Sequence, residues 1–472
     1  MSVLQLCILA AIAILLGQLK RGRSLALLAG STIAIYLLQP VQSPTNLTFW
    51  FPTFTLLLTI FSWQVTMPSD DVGWRQNLPA LLVMAGVVIL MGANRYIHFE
   101  KVFITETPRL RWIALVVVLM ISFALPVMRF RKFQYRFSAM LVIGLIALLV
   151  IIKIPSAVTG IYQAVLSIRG KESSVGLTYF SWLGFSYIAF RLIHTLLDRM
   201  AGRLPSVSLS EYVNYALFFP TFVAGPIDRI EHFTPDLNTH IALDRSGWLD
   251  AGKRFVLGLF KKFVLADGLA WMALNGTFTR DIHSAGWMWL LLYAYSLRIY
   301  FDFSGYTDIA IGLGRFLGIR LPENFSSPYL KPNLTMFWNS WHITLTQWFR
   351  SYFSNPLMRT LRTHHWHLPA YSVILITQLG TMVLIGLWHG ITINFVLWGV
   401  WHGIGLFVQN RWSEFARGRF VPDLASGGLQ FALKTVGIFI TFNFVSLGWL
   451  FFMLPTPDLS WNAMTKLFGM GL

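Results

Sequence analysis

The sequence predicts an all-α integral membrane protein that crosses the bilayer many times. Two observations carry this. Residues AVILMFWYC make up 55% of the 472 positions and charged residues only 12%, against roughly 25% charged residues in an ordinary soluble chain. That is too few charges to cover a water-facing surface of this size. Apolar runs also recur from one end to the other, each near the length of about 20 residues that a helix needs to cross hydrocarbon. A soluble globular enzyme, a disordered chain and a fibrous one are therefore excluded.

The apolar runs fall in order at 3–16, 25–38, 49–65, 78–91, 113–127 and 137–152. They continue at 179–197, 212–223, 255–274, 287–301, 337–353, 371–387, 391–407 and 431–454. The runs at 212–223 and around 309–317 are short and read as re-entrant or half-buried helices. About 11–14 membrane-embedded helices are expected. The divisions expected are N-terminal transmembrane helices (1–170), a central core (171–410), and a C-terminal loop and transmembrane helix (411–472).

The formal charge is +17. Membrane proteins gather Lys and Arg in cytoplasmic loops, and no basic cluster sits on a domain that would hold nucleic acid. Lys20, Arg21 and Arg23 follow the first apolar run rather than precede it. That order suits an uncleaved first span with its N-terminus outside. Lys20, Arg21, Arg23, Arg75, Arg129, Arg131, Lys132 and Arg136 then face the cytoplasm, against Arg95, Lys101, Arg109 and Arg111 outside. Cys7 is the sole cysteine, which excludes internal disulfides and Cys-rich metal sites.

An ionisable side chain in hydrocarbon is costly unless it is partnered or wetted, so such residues mark candidate sites. His389 has long apolar sequence on both sides, and Gly386 and Gly390 allow close backbone approach beside it. It reads either as a proton acceptor near neutral pH or as a structural histidine bonded to a neighbouring helix. His342 lies on a helix expected to start at an N-cap Thr335. There Trp338, Trp341, Leu345, Trp348, Phe349 and Tyr352 share its face, a spacing that core packing also produces. Arg298 and Asp302 have i,i+4 spacing and are expected to neutralise each other, as are Asp308 and Arg315, around Ser304 and Tyr306. They read as an ion-paired turn shaping a polar cavity. His364, His365 and His367 read as a solvated interfacial loop and not a metal site. No phosphate-binding Gly-rich loop, zinc-protease motif or nucleophile elbow occurs. His389 and His402, roughly 20 Å apart along one helix, raise two-haem ligation, but a matching second pair is missing; one haem held between His342 and His389 is the alternative.

Four blocks bring these residues together: 218–229 (FFPTFVAGPIDR), 299–313 (IYFDFSGYTDIAIGL), 337–350 (FWNSWHITLTQWFR) and 386–390 (GLWHG) with Asn394 and Trp398. In them the chain resembles the membrane-bound O-acyltransferases. Within that family it is most similar to the bacterial branch of the alginate O-acetylation protein and the D-alanyl transfer protein of teichoic acid synthesis. The likeness runs from about 176 to 407. It implies a ring of helices around a thin partition reached by a tunnel, with His389 catalytic and His342 the second functional histidine. It implies supporting roles for Asn394, Trp338, Trp388, Asp302, Ser304, Tyr306 and Arg298.

It also implies a bacterial inner-membrane enzyme with no tightly bound cofactor. The donor is an acyl thioester on coenzyme A or a carrier protein, and a separate periplasmic acyltransferase is the partner. The product expected is O-acylation, by acetyl, of an exported polysaccharide. D-alanyl transfer and non-enzymatic polysaccharide or lipid transport are the alternatives. Ser351 and 355–358 (NPLM) depart from the pattern of relatives, which leaves the partner surface and acyl donor open.

Overall fold

The computed structural model describes residues 2–40, 47–67, 74–97, 107–124, 133–168, 181–239, 243–363, 367–417 and 427–470. These are helical almost throughout, and no named strand occurs among them. Arg75–Tyr96, Gln134–Ile151, Ala370–His389 and Gly428–Met453 are long and apolar enough to cross a membrane. Val3–Gly17, Arg23–Leu37 and Leu110–Ala124 are shorter apolar helices. Several other apolar runs are interrupted. The run at 212–223 is helical only to Leu217, that at 255–274 turns π-helical over Phe260–Ala266, and that at 337–353 is broken. The stretch at 309–317 is not a separate short helix. It completes the 32-residue helix Ala285–Phe316.

The chain forms two compact units. The first joins Met1–Phe255 to Ala310–Leu321. Two of its helix starts follow elementary capping: Ser2 with Gln5, and Ser208 with Glu211, each close a reciprocal capping box. Two buried arginines organise it. Arg23 donates to the carbonyls of Thr239 (2.9 Å), Asp236 (3.3 Å) and Leu317. Arg191 donates to the carbonyls of Tyr215 (3.2 Å), Ala216 (3.1 Å) and Thr221 (3.2 Å), and to the Thr221 hydroxyl. Arg191 thus clamps the non-helical chain of the 218–229 block. The loop charge expected at Arg23 is instead a buried cap on carbonyls that helix ends leave unpaired.

The second unit joins Val256–Ile309 to Pro322–Leu472. Its centre is an antiparallel hairpin of Ala370–His389 and Ile393–Arg417. Small residues let the two backbones touch. A Cβ on Gly399 would lie 2.6 Å from the Met382 carbonyl oxygen, and one on Gly403 would lie 2.8 Å from Leu379 Cα. The chain breaks at Gly390, so His389 and His402 stand on different helices. This removes the single-helix spacing on which two-haem ligation depended. Asn394, at the start of the second arm, donates to the Leu454 carbonyl (2.6 Å) and the Ser460 hydroxyl (3.1 Å). It ties the hairpin to helices Gly427–Met453 and Pro457–Leu467.

Candidate active site

The helix expected from Thr335 is two helices. Asn333 is the N-cap, its side chain accepting from Met336 N at 2.8 Å, while the Thr335 hydroxyl donates to Gln409 (2.6 Å). Helix Leu334–Trp338 then stops, and Ile343–Phe349 begins at His342. His342 sits at φ 46°, ψ 52°, a left-handed backbone that costs a non-glycine residue about 1–2 kcal/mol. Strain of this kind collects at functional sites. It is held by a short extended stretch: Phe325 bridges Trp341, Ile343 N donates to the Asn324 carbonyl (3.0 Å), and Ser326 N to that of Ser340 (3.0 Å).

The His342 side chain is buried. Its Nδ1 lies 3.3 Å from Asn324 Oδ1, and its Nε2 has no hydrogen-bond partner among the described residues. The ring packs edge-on against Phe303 (4.7 Å between centroids) and Trp388 (6.0 Å). His389 closes helix Ala370–His389 and is half-buried. Its ring meets Trp388 (4.5 Å), Phe452 (4.7 Å), Trp398 (5.8 Å) and Phe395 (6.1 Å). The two histidines therefore pack on the same indole, that of Trp388. Trp338 sits one layer away, against Trp398 (5.7 Å) and His402 (5.1 Å).

The remaining expected residues lie elsewhere or act otherwise. Asp302 pairs with Lys262 (2.5 Å) and not with Arg298; Asp308 pairs with Lys261 (2.7 Å). Both lysines come from the π-helical Phe260–Ala266, and the segment is continuous helix rather than a turn. Arg298 and Asp302 are exposed, Ser304 is buried and Tyr306 half-buried. The residue of this block that packs on His342 is Phe303, between Asp302 and Ser304. Both N–H groups of Asn394 are engaged in bracing helix ends, which leaves no amide donor for an oxyanion. His364 and His365 lie outside the described residues; His367 is exposed. Sequence reasoning also missed Phe452 and Asn324. Phe452 lies in helix Gly427–Met453, beyond the recognised blocks, and Asn324 stands 18 residues from His342.

Among the described residues, His194, Asp198 and Glu231 of the first unit are the His/Cys/Asp/Glu group close enough to hold a metal ion. Their contacts with one another, His194–Asp198 (3.1 Å) and His194–Glu231 (3.5 Å), and the Arg203–Asp198 pair (2.5 Å) account for their proximity.

Residues 161–451 match the family model described as MBOAT, membrane-bound O-acyltransferase family. The chain belongs to the membrane-bound O-acyltransferase family. All four blocks, and with them His342, Trp388 and His389, fall inside the matched residues. Among curated relatives, the teichoic acid D-alanyltransferase of Streptococcus thermophilus is 31% identical over 283 residues, 58% of this chain and 68% of that one. The probable alginate O-acetylase of Pseudomonas aeruginosa is 32% identical over 296 residues, 61% of this chain and 52% of that protein. The peptidoglycan O-acetyltransferase of Helicobacter pylori is 35% identical over 274 residues, 56% and 48% of the two chains. The matches thus span about half the length of the two O-acetylating relatives and about two thirds of the D-alanyltransferase.

Proposed function

We propose that this protein is an O-acyltransferase of the bacterial inner membrane. It takes an acyl group, acetyl by this reading, from a cytoplasmic thioester and delivers it for O-acylation of an exported polysaccharide. The observation that carries the reading is the packing of His342 and His389 on one indole, in two of the blocks that carry the family resemblance. The names of relatives, an alginate O-acetylase and a peptidoglycan O-acetyltransferase, support an envelope or exported glycan as the final acceptor.

In this mechanism His389 takes the proton of the acceptor hydroxyl. The freed oxygen attacks the thioester carbonyl, the C–O bond forms and the C–S bond breaks. The leaving thiolate takes the proton from the imidazolium. The donor is acyl-coenzyme A or an acylated carrier protein. The immediate acceptor is the hydroxyl of a separate periplasmic acyltransferase, which completes transfer to the glycan. D-alanyl transfer to a teichoic-acid-type polymer is the second reading, favoured by the Streptococcus thermophilus relative, of which the match covers the larger share.

The test is mass analysis of envelope glycans from a deletion strain complemented with the wild-type gene. O-acetyl groups that vanish on deletion and return on complementation support acetyl transfer. Loss of D-alanyl ester instead supports the second reading. Glycans lacking neither acyl mark, but failing to reach the surface, would indicate transport without chemistry.

A further inference from the structure

Asn324 is fully buried, and its carboxamide gathers three donors from one short stretch of chain. Oδ1 accepts from the backbone N–H of Thr344 (3.1 Å) and from the Thr344 hydroxyl (2.9 Å), and it lies 3.3 Å from Nδ1 of His342. A backbone N–H only donates, so the atom facing it is the amide oxygen. An oxygen facing Nδ1 requires the hydrogen to be on Nδ1. In the neutral ring the lone pair is then on Nε2, the nitrogen that is buried with no partner among the described residues. The same asparagine holds the main chain at this point, since its carbonyl accepts from Ile343 N (3.0 Å).

The groups facing His342 are few. Phe303 comes from helix Ala285–Phe316, Asn324 from the extended stretch, and Trp388 from helix Ala370–His389. His389 is a titratable neighbour, packed on the same indole.

We propose that Asn324 is a positioning residue of the transfer site. Its carboxamide oxygen holds His342 in the tautomer with the lone pair on Nε2. His342 then enters the reaction as an acceptor of a hydrogen bond from the reacting hydroxyl, and not as a donor to an oxyanion. This rests on the acyl-transfer reading above.

The experiment compares wild type with Asn324→Ala, Asn324→Asp, His342→Ala and His389→Ala in membranes of the producing strain. Acetyl-coenzyme A is the donor probe, and free thiol release is followed against pH. Asn324→Ala is expected to lower kcat by about 10- to 100-fold, the range seen for groups that orient metal-bound histidines, with KM nearly unchanged. Asn324→Asp keeps an acceptor at Nδ1 and adds a negative charge that favours the imidazolium. It is expected to stay active, with the acid limb of its kcat/KM profile moved to higher pH. If Asn324→Ala does not fold, the Asn324→Asp profile decides. Asn324→Ala at the wild-type rate, or a folded Asn324→Asp that is dead or has an unmoved acid limb, overturns the proposal while both histidine variants are inactive. No thiol release by wild type rejects acetyl transfer from coenzyme A, and full release by both histidine variants rejects acyl transfer at this site.

Discussion

Gly399→Ala is the sharpest test of how the site is held. One methyl group would lie 2.6 Å from the Met382 carbonyl oxygen and 2.6 Å from Val383 Cα, where ordinary Cβ contacts run 3.4–4 Å. Both obstacles are backbone, so no flexible side chain gives way, and the arms of the hairpin must part by about 1 Å. Overpacking of this kind costs about 1–3 kcal/mol. One arm carries His389 at its end and the other carries Trp398, which packs on it at 5.8 Å. A displacement of about 1 Å at reacting groups costs on the order of 100-fold in rate. Thermal unfolding in detergent is therefore expected to shift down by several degrees, and acyl transfer to fall well beyond what the loss of folded protein explains. Gly428→Ala is the control, because nothing lies within 4 Å of its new methyl. A Gly399→Ala protein as stable and as active as the control would refute the hairpin's role in fixing the site.

Two further outcomes follow from charge placement. Lys261→Met leaves the Asp308 carboxylate, 5% exposed, without its 2.7 Å partner. The loss expected is on the order of 2 kcal/mol, reduced below that of a fully buried pair because the lysine is partly wetted. Adding Asp308→Asn should recover much of it, as read by thermal unfolding. His232 lies on the short polar helix Ile230–Asn238, outside the apolar spans, and its hydrogen bond to Asp228 (3.0 Å) raises its pKa above the usual value. The sign follows: the stabilisation is complete below the unfolded-state pKa and is lost as pH rises through the higher folded value. His232→Gln should flatten that decline in a melting series across neutral pH, and an unchanged series would contradict the pairing.

The sequence made the membrane class legible because apolar length is a local property. It made His342 and His389 legible because each sits in a block whose residue types are specific. What it concealed is non-local or hides inside a continuing pattern. The aromatic stripe from Trp338 to Tyr352 keeps helical spacing straight through the left-handed turn at His342, so periodicity shows one helix where two exist. Lys261 and Lys262 pair with carboxylates 47 and 40 residues away, whereas i,i+4 reasoning offered only Arg298 to Asp302. Charge counting assigned Arg23 to a loop, because a buried guanidinium bonded to carbonyls and an exposed one read alike in sequence. Asn324 gave no signal because its partners, His342 and Thr344, are brought to it by the extended stretch and not by helical periodicity.

The central claim is that the His389 imidazole accepts the proton of the hydroxyl that is acylated. Its most direct measurement is the acyl content of the envelope glycan in a deletion strain carrying His389→Ala at wild-type protein level, with membrane insertion and thermal unfolding checked in parallel. The account predicts a correctly inserted, folded protein and an acyl content no higher than in the deletion strain. Near-normal acylation by that variant would contradict it.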